Sequence, residues 1–508
     1  MELKVYKDTV TAALNICDAK VELPVEAELL IPDYQPQVFK IVKCFVTPVI
    51  LQKQVLTGRI SLEGYLRCVV FYQAEEEGSL CQAEQKLPFA KQVELSAGES
   101  QGAASVQVAG EVEYINCRAL SGRRVDVRGA LILHVTAQAQ QDSEVVTALS
   151  GGGVCQRTVT LQADKSVGNA EKLFTAEQPV PFENPPAAVL NCQCAPMVEE
   201  VKLLAGKAVV RGQMQADITY RDARGRTLLH QNASVPFNEI LQVDGADEGC
   251  RAWASVQPTG CTLTQAEGAE GGQGISLAVT ALIEVSVWRP VQTQAVRDAF
   301  STAQEMELAA GDVALEKMGE PFSQMVETVA GGQMPDAGAR VLDAFATALP
   351  PELVEREEGP LVRGRAVAHV LCENEMGEVD CYDKTCEYTL PLPQDLAGRQ
   401  LTLRCTAAVQ KVSVRQTGDQ VTASVALAVS GLVSARQSVP VLTGAVCTGP
   451  RADAGGDIAL RIYFAHPGEQ LFDIAKHYGA SPDAIAAANG LEGEALAEER
   501  RLLIPRAQ

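Results

Sequence analysis

The sequence predicts a mainly β protein, with three tandem antiparallel β-domains of sandwich or barrel type followed by a small β-α-α-β unit. Three observations support this fold class. Apolar and polar residues alternate with a period of two over most of the chain, one strand pattern recurs three times, and residues 466–491 switch to apolar spacing typical of helices. The 508 residues are also too many for one core, since domains average roughly 150 residues.

The repeat is clearest in the stretches GRISLEGYLRCVVFY, residues 58–72, and GKAVVRGQMQADITY, residues 206–220. Both place two glycines, a tyrosine and a later Pro-Phe pair in one register. These residues are Gly58, Gly64, Tyr72 and Pro88-Phe89 in the first copy and Gly206, Gly212, Tyr220 and Pro236-Phe237 in the second. Alternation of this length indicates a half-buried antiparallel strand.

A third, more divergent copy keeps Gly364 and Gly377, has Cys372 in place of the tyrosine, and turns its second hairpin at residues 417–419. The three copies predict β-domains at the following limits: residues 1–145, 175–290 and 320–445. The intervening stretches are predicted to be partly ordered, strand-bearing connectors at residues 146–174 and 291–319. The Gly- and Ala-rich residues 446–460 are predicted to be a hinge before the terminal unit, residues 461–508.

Composition excludes several classes of function. The chain has 43 basic and 64 acidic residues and a net charge of −21, so it repels phosphate backbones and we expect no nucleic-acid binding. No apolar run approaches the roughly 18 residues that span a bilayer. The first 20 residues lack a basic segment followed by an apolar stretch, so we expect no secretory signal.

The fifteen cysteines are scattered and contain no Cys-x-x-Cys pair, the closest spacing being Cys192-x-Cys194. In the absence of an export signal, this pattern predicts reduced thiols of a cytosolic compartment and no disulfide framework. A zinc site formed by Cys372, Cys381 and Cys386 has no usual ligand spacing. We therefore expect neither a metal nor a cofactor.

The terminal unit begins with the strand RIYFA, followed by a helix predicted from Glu469 to Tyr478 with Gly479 as its stop. Ser481 is predicted to cap a second helix with Pro482 at its first position. The strand RLLIP then closes a β-α-α-β unit.

The order of residues in this unit resembles a LysM domain. The matching positions are Tyr463, Pro467-Gly468-Glu469, Leu471, Ile474-Ala475-Lys476, Tyr478-Gly479, Ser481, Ile485, Asn489-Gly490-Leu491 and Leu503-Ile504-Pro505. The resemblance implies that two loops form a shallow groove for glycans containing N-acetylglucosamine. The groove residues would be His466, Pro467, Gly468, Glu469, Gln470 and Leu471 in one loop and Asn489, Gly490, Leu491, Glu492 and Gly493 in the other.

Two positions depart from the usual LysM pattern. Glu469-Gln470 replace a common Asp-Thr pair, and Phe472 replaces a common tryptophan or tyrosine.

The strand repeats resemble SPOCS domains of endospore-forming bacteria. Three such domains followed by a LysM domain are similar to clostridial proteins that build the spore coat. The resemblance implies location in the mother-cell cytoplasm at the forespore surface, and a LysM domain that contacts the coat-basement ATPase, stage IV sporulation protein A.

An enzymatic function is not expected. The chain has five histidines; two lie in strand patterns, one follows a strand, and two belong to the LysM-like unit. The stretch GGGVCQRT lacks the lysine and the spacing of a phosphate-binding loop.

The leading hypothesis is a scaffold that binds other coat proteins, or further copies of itself, through exposed strand edges. The alternative is a protein whose LysM domain binds peptidoglycan.

Overall fold

The computed structural model describes residues 3–75, 78–95, 104–222, 227–267, 273–334, 336, 338–393, 399–451, 460–491, 493 and 496–505. These residues form three β-modules and a C-terminal unit, and the predicted fold class is confirmed. Module 1 consists of β1 (Lys4–Leu30), β2 (Val38–Leu56), β3 (Arg59–Ala74), β4 (Leu80–Glu94), β5 (Ala104–Ser121) and β6 (Arg124–Ser150). Module 2 consists of β7 (Val154–Pro179), β8 (Pro186–Leu204), β9 (Lys207–Asp222), β10 (Leu229–Gln242), β11 (Arg251–Glu267) and β12 (Gln273–Ser301).

Module 3 repeats this order with two of its strands divided. It consists of β13 (Gln304–Met318), β14 (Phe322–Gln333), β15 (Arg340–Ala348), β16 (Glu352–Val354), β17 (Leu361–Glu373), β18 (Val379–Pro391), β19 (Gln400–Thr417) and β20 (Gln420–Pro450). The C-terminal unit consists of β21 (Leu460–Ala465), α1 (Leu471–Tyr478), α2 (Pro482–Asn489) and β22 (Arg500–Pro505).

Each module contains two antiparallel sheets. In modules 1 and 2, the first and fifth strands flank the last strand in one sheet, while the second, third and fourth strands form the other. Module 3 keeps this topology: β13, β14 and β19 all pair with β20, and β15, β16 and β18 all pair with β17. The alternating strands bury one face of each sheet, so that the core of each module lies between its two sheets.

The long first strands include most of the stretches predicted as connectors. Residues 146–174 contain the end of β6 and most of β7, and residues 291–319 contain the end of β12 and all of β13. These residues pair within the modules. Of the predicted hinge at residues 446–460, residues 446–450 belong to β20, whereas residues 452–459 lie outside the described part of the chain.

The recurring glycine in the middle of the third strand permits a close backbone approach. A Cβ atom on Gly64 would lie 2.0 Å from the carbonyl oxygen of Val49, and one on Gly212 would lie 2.2 Å from that of Met197. Gly364 in module 3 also leaves room for a neighbour, but here the neighbour is a side chain: a Cβ atom would lie 2.1 Å from the ring of Tyr388. The repeated glycine therefore reflects a steric requirement of this fold.

The recurring proline has a topological explanation. Pro88 and Pro236 lie within β4 and β10, which are terminal strands of their sheets. A terminal strand tolerates proline because one of its edges carries no ladder hydrogen bonds.

The three modules pack around a common centre. The long last strands β6, β12 and β20 contact one another, as do the first strands β1, β7 and β13. Equivalent aliphatic residues fill this centre in two layers. One layer contains Val145, Ala295 and Val441, and the next contains Val146, Val296 and Leu442.

Polar side chains connect the modules around this centre. The Arg404 guanidinium of module 3 donates to Ser286 Oγ of module 2 at 3.0 Å and to Gln138 Oε1 of module 1 at 3.2 Å. Modules 1 and 3 are joined by ion pairs between Lys40 and Asp380, at 2.9 Å, and between Lys43 and Asp383, at 2.7 Å. One charged arginine thus reaches all three modules.

Modules 2 and 3 meet at a histidine between two aspartates. His230 Nδ1 lies 3.5 Å from Asp217 Oδ1 in its own module, and Nε2 lies 3.1 Å from Asp343 Oδ1 of module 3. Hydrogen bonds to the two aspartates raise the pKa of His230 to about 10, and the bond to Asp217 has a larger effect than the bond to Asp343.

We predict that Gly212→Ala destabilises the protein by about 1–3 kcal/mol, because the added methyl group overlaps backbone that cannot move without separating β8 from β9. Chemical denaturation measures this change. Gly260→Ala is the matched control, since its Cβ would meet only Thr280 Cβ at 3.9 Å. Equal stability of the two variants would contradict the steric explanation.

We also predict a pH dependence that originates at His230. Because the folded pKa is raised to about 10, the stabilisation is complete below the ordinary histidine pKa of about 6.5 and is lost as the pH rises toward 10. Thermal unfolding from pH 6 to pH 10 should therefore show a smaller fall in Tm for His230→Asn than for the wild type. His134→Asn is the control. His134 also lies beside an aspartate, with its Nε2 atom 2.9 Å from Asp18 Oδ1, but both residues belong to module 1 and the contact joins no two modules. A wild-type profile in His230→Asn would refute the prediction.

Candidate functional site

The C-terminal unit is a two-stranded antiparallel sheet, β21–β22, with two short helices between its strands. Its core contains Leu471, Ile474, Ile485, Leu502 and Ile504. The predicted caps are present. The side chain of Ser481 accepts a hydrogen bond from the Ala484 N–H, and Gly479 and Gly490 end their helices at φ values of 66° and 61°.

The first helix begins at Leu471, two residues later than the sequence predicts, because Glu469 stabilises the preceding loop. Its carboxylate accepts a hydrogen bond from the Tyr463 hydroxyl at 2.8 Å and one from the His466 backbone N–H at 2.9 Å. These bonds, chiefly that from His466, lower the pKa of Glu469. Of the first predicted loop, Glu469 thus has a structural role and Leu471, 3% exposed, belongs to the core.

Asn489 in the second predicted loop is also occupied within the fold. Its Oδ1 accepts from the Leu503 N–H at 2.7 Å, while its Nδ2 donates to the carbonyl oxygens of Leu503 and Ile485, both at 2.8 Å. This side chain therefore attaches β22 to the end of α2, and its hydrogen-bonding groups are used internally.

The first predicted loop joins the segment that follows the second one. Gly468 N–H donates to the Leu496 carbonyl oxygen at 2.8 Å, and Leu496 N–H donates to that of Glu469 at 3.1 Å. Among the predicted groove residues, the exposed ones are His466, Pro467, Gly468, Gly490 and Gly493, and the half-buried ones are Glu469, Gln470, Asn489 and Leu491. Glu492 lies outside the described residues. The groove itself stays a prediction.

An apolar face that the sequence interpretation missed lies on the outer side of β21. Ile462 and Phe464 are 52% and 65% exposed. Ile462 pairs with Leu503, and Phe464 pairs with the exposed Arg501 on β22. We refer to Ile462, Phe464, Leu503 and Arg501 as the hairpin face. Alternation in RIYFA was the available signal, because it places Tyr463 on the opposite side from two large apolar residues.

The opposite part of the unit packs against module 2. The rings of Phe472 and Phe300 are 5.3 Å apart in an edge-to-face arrangement, and the Arg157 guanidinium lies 4.6 Å from the Phe472 ring centre. Lys476 Nζ contacts both carboxylate oxygens of Asp298, at 2.6 and 2.8 Å. Phe472, one of the two departures from the usual LysM pattern, is therefore a docking residue.

One histidine has the contacts that a catalytic triad would require. His369 Nε2 lies 3.1 Å from Thr347 Oγ1, and Nδ1 lies 2.8 Å from Asp383 Oδ1. However, His369 is only 5% exposed, and its ring centre lies 4.7 Å from that of Phe45 and 5.2 Å from that of Phe345. We interpret these contacts as structural hydrogen bonds between neighbouring strands at the interface of modules 1 and 3.

The expectation that every cysteine is reduced is wrong at one pair, since Cys192 and Cys261 form a disulfide with a Cα–Cα distance of 6.4 Å. The other thirteen cysteines form no disulfide among the described residues. The two residues are 69 positions apart in the sequence, and they meet because β8 and β11 face each other from the two sheets of module 2. Their spacing along the chain carries no sign of this proximity.

Comparison with protein families agrees with this architecture. Residues 37–120 and 187–264 match the family described as SipL, SPOCS domain, and residues 466–505 match the LysM domain. The chain combines SPOCS domains with a LysM domain. The two SPOCS matches begin near β2 and β8 and end within β5 and β11, at equivalent places in modules 1 and 2. No curated protein and no solved structure matches the chain.

This domain content is that of a protein associated with the spore coat in sporulation or of a glycan-binding protein. SPOCS and LysM domains are non-catalytic families. Among the helices of the described residues, each is too short to cross a membrane.

We predict that Phe300→Ala weakens docking of the LysM unit by about 2–4 kcal/mol, because it removes the ring that Phe472 contacts. Hydrogen exchange in α1 should become faster, and the radius of gyration from small-angle scattering should increase. Phe464→Ala is the control, since Phe464 belongs to the same unit and faces solvent. Identical exchange in the two variants would contradict the proposed docking contact.

Proposed function

We propose that this protein is a non-enzymatic scaffold of the spore coat, which links coat proteins to the forespore surface through protein–protein contacts. In this proposal the LysM domain binds the coat-basement ATPase, stage IV sporulation protein A, and the three β-modules hold other coat proteins or further copies of the chain. The protein would act in the mother-cell cytoplasm at the forespore surface.

The observation that carries the proposal is the hairpin face. Ile462 and Phe464 leave a large apolar surface exposed beside Arg501. Aromatic residues and arginine are enriched in the centres of protein interfaces, where buried aromatic rings provide most of the affinity. The docking contact with module 2 uses Phe472 on α1 and leaves this face accessible.

The internal hydrogen bonds made by polar residues of the predicted groove give further support for a protein partner. Recognition of sugar hydroxyl groups requires polar side chains or backbone groups that are free to bond. Glu469 and Asn489, two polar residues of the groove, make hydrogen bonds within the unit. Substituting either of them would therefore test folding and not ligand binding.

The first test compares the full chain with a variant lacking residues 460–508. We expect this deletion to abolish binding to the ATPase and recruitment to the forespore in sporulating cells. The three modules should remain folded, since their core clusters lie largely outside the deleted part. Unchanged localisation together with unchanged ATPase binding would refute the proposed role of the LysM domain.

A point substitution tests whether the hairpin face is the surface that contacts the ATPase. We predict that Phe464→Ala weakens ATPase binding at least about tenfold in a purified pull-down or by calorimetry, as expected for an aromatic residue at the centre of an interface. Phe39→Ala is the matched control, because Phe39 is a similarly exposed phenylalanine, 60% exposed, on β2 of module 1. Equal losses in the two variants would remove the hairpin face from the proposal.

The alternative function, binding of peptidoglycan through the groove, is favoured by the exposed glycines Gly468, Gly490 and Gly493, whose backbone a sugar ring could approach. Pull-down on purified peptidoglycan tests it. If this alternative holds, His466→Ala should weaken retention while His477→Ala should not. Both histidines are exposed on the same unit, but only His466 belongs to the groove. Absence of retention by the wild-type chain would exclude the alternative.

A further inference from the structure

Three cysteine sulfurs converge in module 2. The Sγ atoms of Cys192, Cys194 and Cys261 all lie within 4.8 Å of one another. Cys192 and Cys194 are two residues apart on β8, so their side chains point to the same face of the strand, whereas Cys261 comes from β11 in the facing sheet. Two of these sulfurs form the disulfide, and Cys194 is a free thiol beside it.

The cluster can be reached by solutes. Each of the three residues is half-buried, and all three line a cavity of about 1390 Å³ whose wall is formed by residues of all three modules. Burial raises the pKa of the Cys194 thiol to about 12, and the positive charge of Arg67 from module 1 opposes this effect. A bound cation would favour the thiolate form far more strongly, because metal coordination deprotonates thiols.

The spacing of the sulfurs suits a zinc ion. At a Zn–S distance of about 2.3 Å, tetrahedral coordination places two sulfurs about 3.8 Å apart. The three sulfurs therefore need to move by about 1 Å or less, which side-chain rotation provides once the disulfide is reduced. The fourth position would face the cavity and take a water molecule, and Arg67 would balance part of the negative charge of three thiolates.

We propose that the reduced protein binds Zn²⁺ through the thiolates of Cys192, Cys194 and Cys261, and that the Cys192–Cys261 disulfide is the metal-free, oxidised form of the same site. This differs from the sequence-based expectation, which was that no metal binds. Neither the LysM contacts nor the hairpin face includes this site, so it stands or falls independently of the scaffold function.

The change between the two forms is a two-electron oxidation, for which a peroxide is a suitable oxidant. The zinc-bound thiolates of Cys192 and Cys261 lose two electrons and form the S–S bond. Hydrogen peroxide accepts these electrons and, with two protons, becomes two water molecules. Zn²⁺ leaves the site, and Cys194 takes up one proton to become a thiol.

Module 1 offers a natural control within the same chain. Cys44 pairs with Val70 on β3 as Cys192 pairs with Ile218 on β9, so the two cysteines occupy equivalent positions of the repeat. Val46, however, stands where module 2 has Cys194. Cys44→Ser thus removes a thiol from the equivalent strand without touching the three-cysteine site.

The test uses the full chain, reduced with a phosphine under anaerobic conditions, incubated with Zn²⁺ and freed of excess metal. We expect about one zinc per chain by mass spectrometry of the metal, and near-complete loss of it in Cys194→Ser and Cys261→Ser. Cys44→Ser should keep the wild-type zinc content. Co²⁺ in place of Zn²⁺ should give thiolate-to-cobalt charge-transfer absorption that hydrogen peroxide abolishes as the disulfide forms.

Alkylation with iodoacetamide provides a second readout that does not depend on the stability of a variant. In the wild type, Zn²⁺ should protect Cys192, Cys194 and Cys261 from alkylation and leave the reactivity of Cys250 unchanged. A reduced wild-type chain that retains no zinc would overturn the proposal. So would a Cys194→Ser variant with wild-type zinc content, or zinc that protects none of the three cysteines.

Discussion

The packing of three long strands at the centre of the molecule is the constraint on which the remaining structure depends. Val145, Ala295 and Val441 occupy equivalent positions on β6, β12 and β20 and are almost completely buried. A fully buried valine side chain contributes about 1.5–3 kcal/mol, and larger side chains would separate the modules. Because each of these strands also pairs with the first strand of its own module, the centre fixes the orientation of one sheet in each module. The position of Arg404 between modules 1 and 2 follows from that arrangement.

Local pattern in the sequence was sufficient to predict the strands, the repeat and the LysM unit, since alternation and helix caps are short-range signals. The pairing of β1 with β6 joins residues that are 94 positions apart at Leu30 and Arg124 and 146 apart at Lys4 and Ser150, and no periodicity specifies such a partner. The same limitation applies to Cys192 and Cys261. At the candidate site, the two helices and the cap at Ser481 could be predicted, but the use of Asn489 and Glu469 within the fold could not. A polar side chain looks the same in a sequence whether it binds a ligand or its own backbone.

The C-terminal unit has one side that contacts module 2 and an apolar side that is exposed. One side of α1 holds the unit against module 2 through Phe472 and Lys476, while the hairpin face points to solvent. In the proposed scaffold, this arrangement would present the hairpin face in a defined direction, because contacts with module 2 hold the other side of the unit. A rigidly held face loses less conformational entropy when it binds than a freely tethered one.

Proline in β4 and β10 has a consequence for how densely such molecules can be assembled. Unprotected terminal strands serve as templates on which further chains add, and this is how cross-β fibrils grow. Pro88 and Pro236 have no N–H to donate, so a strand that added to the open edge of β4 or β10 would not gain a hydrogen bond from them. In the proposed coat layer, many copies would therefore remain separately folded molecules instead of converting into amyloid.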